Sequence, residues 1–180
     1  MGWDLNEAFS IFVDGSKKTK AIIKDPSDTY RSNTPYALVK DELFIFEGRA
    51  LDKKVRKSEK IEENIFKNLV TKLEGCTWKT MSTKLINKMS GGSAALTIDN
   101  GEKALIFFPE DGGRKCEIFD SEQSVSTHST STSHNYGKLG FYKGKPTAVG
   151  GTKKVETFNS YRWSTLPEFS RSLKIIDKIK

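Results

Sequence analysis

Residues 139–167 decide the fold. Leu139-Gly140-Phe141-Tyr142 turns at Lys143-Gly144-Lys145 and returns through Pro146-Thr147-Ala148-Val149 to Gly150-Gly151. Lys154-Val155-Glu156-Thr157-Phe158-Asn159 comes next, then Tyr161-Arg162-Trp163-Ser164-Thr165-Leu166-Pro167. Short β-rich runs separated by polar, Gly-bearing turns read as antiparallel strands. The stretch begins with a hairpin, and the rest of the chain is read from it.

The same hairpin occurs twice upstream. Ala37-Leu38-Val39 turns at Lys40-Asp41 into Glu42-Leu43-Phe44-Ile45-Phe46-Glu47-Gly48. Ser93–Ile98 passes through Asp99-Asn100-Gly101 into Lys103–Phe108. The starts at Ala37, Ala95 and Gly140 lie 58 and 45 residues apart, periods typical of propeller blades and similar arrays. A Lys-apolar-Glu triplet closes each unit: Lys60-Ile61-Glu62, Lys115-Cys116-Glu117 and Lys154-Val155-Glu156. Phe119 follows Glu117 at the distance at which Phe158 follows Glu156. A further hairpin is read over residues 10–24, around Asp14-Gly15-Ser16.

This order resembles the kelch repeat. That family's unit has a second strand ending in Gly-Gly, a third strand with Val-Glu and an aromatic, and a fourth beginning near a Trp. The residues carrying the resemblance are Gly48, Gly150, Gly151, Glu62, Glu117, Val155, Glu156, Phe119, Phe158 and Trp163. Glycines at the strand end allow φ > 0 without a Cβ clash, and the aromatic and Trp fill the wedge between neighbouring sheets. The match is full only in the third unit. The second has Phe107-Phe108 in place of the glycine pair, with Gly112-Gly113 displaced, and no Trp; the first keeps one glycine, with Trp78 as a late fourth-strand Trp or part of an inserted loop.

The resemblance implies an all-β fold. The expectation is a partial β-propeller: an open arc of about three kelch-like four-stranded blades plus an incomplete N-terminal blade. Its parts are residues 1–33 (incomplete blade), 34–90, 91–134 and 135–168 (blades one to three) and 169–180 (a C-terminal connector). Propellers close with four to eight blades, so the arc is expected to be a piece of a longer propeller or to self-associate over its open faces. Two segments offer other readings. Ile61, Ile65, Leu69 and Leu73 recur at helical spacing, so residues 59–73 read either as an amphipathic helix or as strands through 55–61 and 65–70. Residues 121–134, with nine Ser or Thr in fourteen positions, read as a long exposed loop with a marginal strand at Ser124–Thr127.

Composition bounds the function. Leu, Ile, Val and Phe make up 43 of 180 residues, about 24%, above the roughly 20% below which chains stay unfolded. The longest apolar run, Ala104–Phe108, is far short of the roughly 20 residues of a membrane helix. No basic start leads into an apolar leader and no N-glycosylation sequon is present, so the reading is a cytoplasmic protein with no membrane contact. The net charge of +7 divides into +4 for residues 1–90 and +3 for 91–180. Such even spreading with interspersed acids argues against nucleic acid, whose binders gather basic groups on one face.

P-loop, nucleophile-elbow and zincin motifs all fail on their required residues. The two histidines, His128 and His134, sit in the Ser/Thr stretch, where a metal would lack a rigid surround. The expectation is therefore no enzyme, no cofactor and no metal. The leading reading is a protein–protein interaction scaffold. Its contact loops, chosen by position after each second strand, carry Arg49, Lys53, Lys54, Glu110, Asp111, Arg114 and Lys153. The alternative is binding of an anionic polymer, nucleic acid or sulfated glycan, through basic loops.

Overall fold

The structure is a computed structural model that describes residues 34–46, 68–75, 77–89, 92–108 and 114–167, plus four strand traces outside those ranges. Sixteen strands follow in chain order: β1 (Glu7–Ile11), β2 (Lys18–Ile22), β3 (Tyr36–Val39), β4 (Glu42–Phe46), β5 (Arg49–Ala50), β6 (Ile65–Phe66), β7 (Leu69–Glu74) and β8 (Thr77–Lys84). Then come β9 (Ala94–Ile98), β10 (Lys103–Phe108), β11 (Lys115–Phe119), β12 (Ser124–Thr127), β13 (Lys138–Tyr142), β14 (Lys145–Val149), β15 (Glu156–Asn159) and β16 (Arg162–Thr165). Three four-stranded antiparallel sheets result, in the orders β3-β4-β7-β8, β9-β10-β11-β12 and β13-β14-β15-β16. β1 pairs with β2, and β5 with β6, as separate two-stranded ladders. The all-β expectation holds.

In each sheet the strands pair antiparallel in chain order, and a tight turn joins the first two. Lys40-Asp41 and Lys143-Gly144 turn with positive φ at both residues (52° and 61°; 49° and 72°), the geometry whose twist matches flanking strands. Between β11 and β12 the Asp120 carboxylate accepts the N–H groups of Glu122 and Gln123 at 3.0 and 2.9 Å, a side-chain-built turn.

β10 explains how the sheets stack. Alternate residues of a strand face opposite ways, so the unbroken apolar run Ala104–Phe108 needs cover on both faces. Ala104, Ile106 and Phe108 pack with Ala37, Val39, Phe44, Phe46 and Val70 of the first sheet. Leu105 and Phe107 pack with Ala148, Phe158 and Trp163 of the third. The second sheet is thus the filling between the other two. β3 lies beside β9, and β9 beside β13.

The segment that admitted a helix is strand at Ile65–Phe66 and Leu69–Glu74; residues 59–64 lie outside the described residues. In 121–134 the strand expected at Ser124–Thr127 forms with those bounds, as the fourth strand of the second sheet, pairing with β11. The expectation of an exposed loop is corrected beyond it, where Thr130 and His134 are buried.

Candidate functional site

Register shows what each repeat position does. Glu117 pairs with Ile106 and Glu156 with Ala148, each opposite the fourth residue of its sheet's second strand. Directly paired residues share a face, so both carboxylates point at the preceding sheet. Each is fully buried, and a buried carboxylate needs donors. Glu117 takes them from the chain entering its sheet: the N–H of Ile86 at 3.0 Å, the N–H of Asn87 at 2.6 Å and the Asn87 side-chain amide at 2.6 Å, with the Ser124 hydroxyl at 2.6 Å. Glu156 takes the N–H groups of Ser131 and Thr132 at 2.8 and 3.1 Å, the Thr132 hydroxyl at 2.5 Å and His134 Nε2 at 2.9 Å. In both cases a third-strand glutamate ties down the linker from the sheet before. Burial opposes ionisation of Glu156, but the Thr132 hydroxyl, Ser131 and His134 hold its carboxyl at about 2, below its ordinary 4.5.

Two residues beyond each glutamate stands the aromatic. Phe119 lies edge-on to Phe44 and Phe46, with centroids 5.1 and 5.3 Å apart. Phe158 pairs across the turn with Trp163, 5.2 Å between centroids. In the first sheet the corresponding pair is Leu73 with Trp78, so Trp78 occupies the fourth-strand position rather than an inserted loop. In the second, Ser124 faces Phe119 and gives its hydroxyl to Glu117, which accounts for the missing Trp. Ile45 pairs with Thr71 where the other sheets have glutamate. Glu62, read as the first unit's glutamate, lies outside the described residues, as does Gly48.

The glycine pair has a second purpose beyond its φ values of 88° and 66°. A Cβ on Gly151 would meet the Asn135 carbonyl and its N at 2.6 Å. The linker that Glu156 holds lies directly on these glycines. Val155, buried before β15, accepts the N–H of Leu166 at 2.9 Å. Cys116 is buried at the same junction. Burial pushes its thiol up to about 12, against contacts from Trp163 and Thr130 and with a further push from the Glu156 and Glu117 carboxylates. Such a thiol is not a nucleophile at neutral pH.

The contact residues chosen by position are not brought together as a described surface. Lys53, Lys54, Glu110 and Asp111 lie outside the described residues, and Arg49 is seen only as strand trace. Lys153 is exposed, and Arg114 reaches the Ser131 carbonyl at 3.5 Å. A different surface carries exposed apolar groups. Tyr36, Leu38, Tyr136 and Phe141 are all more than half exposed and line one open cavity of about 790 Å³ between the first strands of the three sheets, with Lys138 at its side. A second cavity, about 1110 Å³, opens between the second and third sheets around Phe141, Pro146, Phe158 and Tyr161.

Register explains why the cavities meet at Phe141. Leu38, Thr97 and Phe141 hold the same position, one before the turn-closing residue, in β3, β9 and β13. Thr97 accepts the N–H of Leu38 at 3.2 Å and donates to its carbonyl at 2.9 Å, and Lys40 N–H reaches the Gly101 carbonyl at 2.7 Å. The Thr97 hydroxyl thereby seals the edge of β3. Phe141 cannot do the same for β9, and the strands part there. The exposed ring of Phe141 was invisible in the sequence because it reads as one more core aromatic.

No family model matches this chain, and neither does any curated protein. Among the described residues no cluster of three His, Cys, Asp or Glu side chains could hold a metal, and no helix is long and apolar enough to cross a membrane.

Proposed function

We propose that this protein is a non-enzymatic interaction scaffold: a run of kelch-like propeller blades that binds an extended segment of a partner protein along its first strands. The carrying observation is the gathering of Tyr36, Leu38, Tyr136 and Phe141 around one cavity. Clustered exposed apolar groups mark interaction sites, and Tyr is among the side chains that dominate binding energy. Among the described residues, Lys138 is the one charged side chain lining that cavity. Together with the basic chain it suits a segment with apolar side chains and one acidic residue. The blade arrangement is supported by three register-matched meanders, each stacked on the next through its first strand.

A displayed library of random peptides tests this. Selection on the full chain is expected to enrich aromatic or aliphatic residues beside an acid. The double variant Tyr36→Ala, Phe141→Ser is expected to weaken the selected peptides at least about tenfold, the equivalent of 1.4 kcal/mol. Arg114→Glu with Lys153→Glu is expected to leave them bound. Peptides indifferent to the groove variant overturn the reading. Retention on heparin at physiological salt, lost on reversing Arg114 and Lys153, puts the anionic-polymer reading in its place.

A further inference from the structure

His134 is the buried titratable group that binding does not use. Its ring is fully buried, with Nδ1 2.9 Å from the Gly150 carbonyl oxygen and Nε2 2.9 Å from Glu156 Oε2. A carbonyl oxygen can only accept, so Nδ1 carries a proton. Glu156 already receives donors on both oxygens, from Ser131 on Oε1 and from Thr132 on Oε2. A carboxylate so surrounded has no proton to give, and Nε2 carries one too. A neutral imidazole offers a single N–H and would set a nitrogen lone pair against an oxygen lone pair in a dry site.

We infer that His134 is a buried imidazolium, and that its proton latches the linker between the second and third sheets. Among the described residues, the groups shown against the ring come from three places. β15 supplies the Glu156 carboxylate and the glycine turn supplies a backbone carbonyl. β10 supplies the edge-on Phe107 ring, centroids 6.0 Å apart, with no charge. The ionised partner among them is an anion. Losing the proton leaves Glu156 as an uncompensated buried charge and frees one end of the ring. The linker then depends on the N–H groups of Ser131 and Thr132 and on the Thr132 hydroxyl.

The chain carries its own reference, because His128 is exposed on the same segment. Imidazole nitrogen NMR of the full chain at neutral pH is expected to show a proton on both His134 nitrogens, each with a hydrogen-bonded shift that exposed His128 lacks. Amide exchange at Ser131 and Thr132 is expected to quicken at least about tenfold in His134→Leu, which removes both ring donors. In Glu156→Gln, which removes the carboxylate facing Nε2, His134 is expected to carry a single nitrogen proton at the same pH. A single neutral tautomer at His134 in the parent chain overturns the inference. So does unaltered protection of Ser131 and Thr132 in His134→Leu, or a Glu156→Gln chain whose His134 keeps both protons.

Discussion

The two sheet-to-sheet junctions use one plan and differ in how completely they close. Between the first and second sheets, Phe119 wedges edge-on between Phe44 and Phe46, neutral donors surround Glu117, and Thr97 stitches the first strands together. Between the second and third, Phe158 leans on Trp163 beside an open cavity, a histidine joins the donors of Glu156, and Phe141 stands where a stitch would be. One junction is sealed by apolar contact and hydroxyl bonds. The other is held by charge, with room left over. The glutamate sets how a sheet attaches to its predecessor; the residue one before the first turn sets whether the attachment is closed.

The largest effect expected separates the wedges. Phe119→Ala should cost about 3–5 kcal/mol, because two rings lose their edge partner and the site has no room to collapse. Phe158→Ala should cost less, since Phe158 already borders a cavity. Urea unfolding of both variants measures the difference, and equal losses would mean that the junctions are packed alike.

Next come the glutamates. Glu117→Ala and Glu156→Ala each leave two part-buried backbone donors without their acceptor, at up to about 1–3 kcal/mol for each group that water does not reach. Acid gives a second reading of Glu156. A carboxyl held at about 2 in the fold, against an ordinary 4.5, contributes stability that is whole above pH 4.5 and is lost as pH falls toward 2. The contribution from Glu156 is about 3 kcal/mol. The acid limb of the stability curve should therefore flatten in Glu156→Gln; a limb as steep as in the parent chain would place the acid sensitivity elsewhere.

Gly151→Ala is expected to cost about 2 kcal/mol, combining a left-handed φ with overpacking against the Asn135 backbone. Gly144→Ala is the control, with a left-handed φ but nothing within 4 Å of the added carbon. Thermal melts in which the two variants fall together would remove the linker's close approach from the account.

The smallest effects probe the stitch. Thr97→Val deletes two hydrogen bonds and is expected to cost about 1–2 kcal/mol. Phe141→Thr should leave stability within about 0.5 kcal/mol while protecting an edge amide of β9 from exchange. A slowed exchange there would mean that the open junction can be closed by one hydroxyl.

Much of the architecture was legible in the hairpins, because turns such as Lys40-Asp41 and Lys143-Gly144 announce themselves by residue type. Glu117 and Glu156 were legible as a recurrence, though not as linker clamps, since their partners lie 24 to 31 residues upstream. The first sheet's third strand was harder. A spacing of four, as between Leu69 and Leu73, places residues on one face of a helix and equally on one face of a strand. Without a glutamate at Thr71, nothing marked the phase. His134 was misjudged for a plainer reason: serine and threonine content suggests a solvated loop, whereas here those hydroxyls and amides are what a buried carboxylate requires.

The clamps also impose an order in time. Each linker is tied by a glutamate belonging to the sheet after it, so a nascent chain leaving the ribosome cannot secure the joint behind one sheet until three strands of the next have emerged. The first and second sheets each wait on sequence still to be made, and a stall in translation between Thr132 and Glu156 would leave the trailing end of the second sheet unfastened.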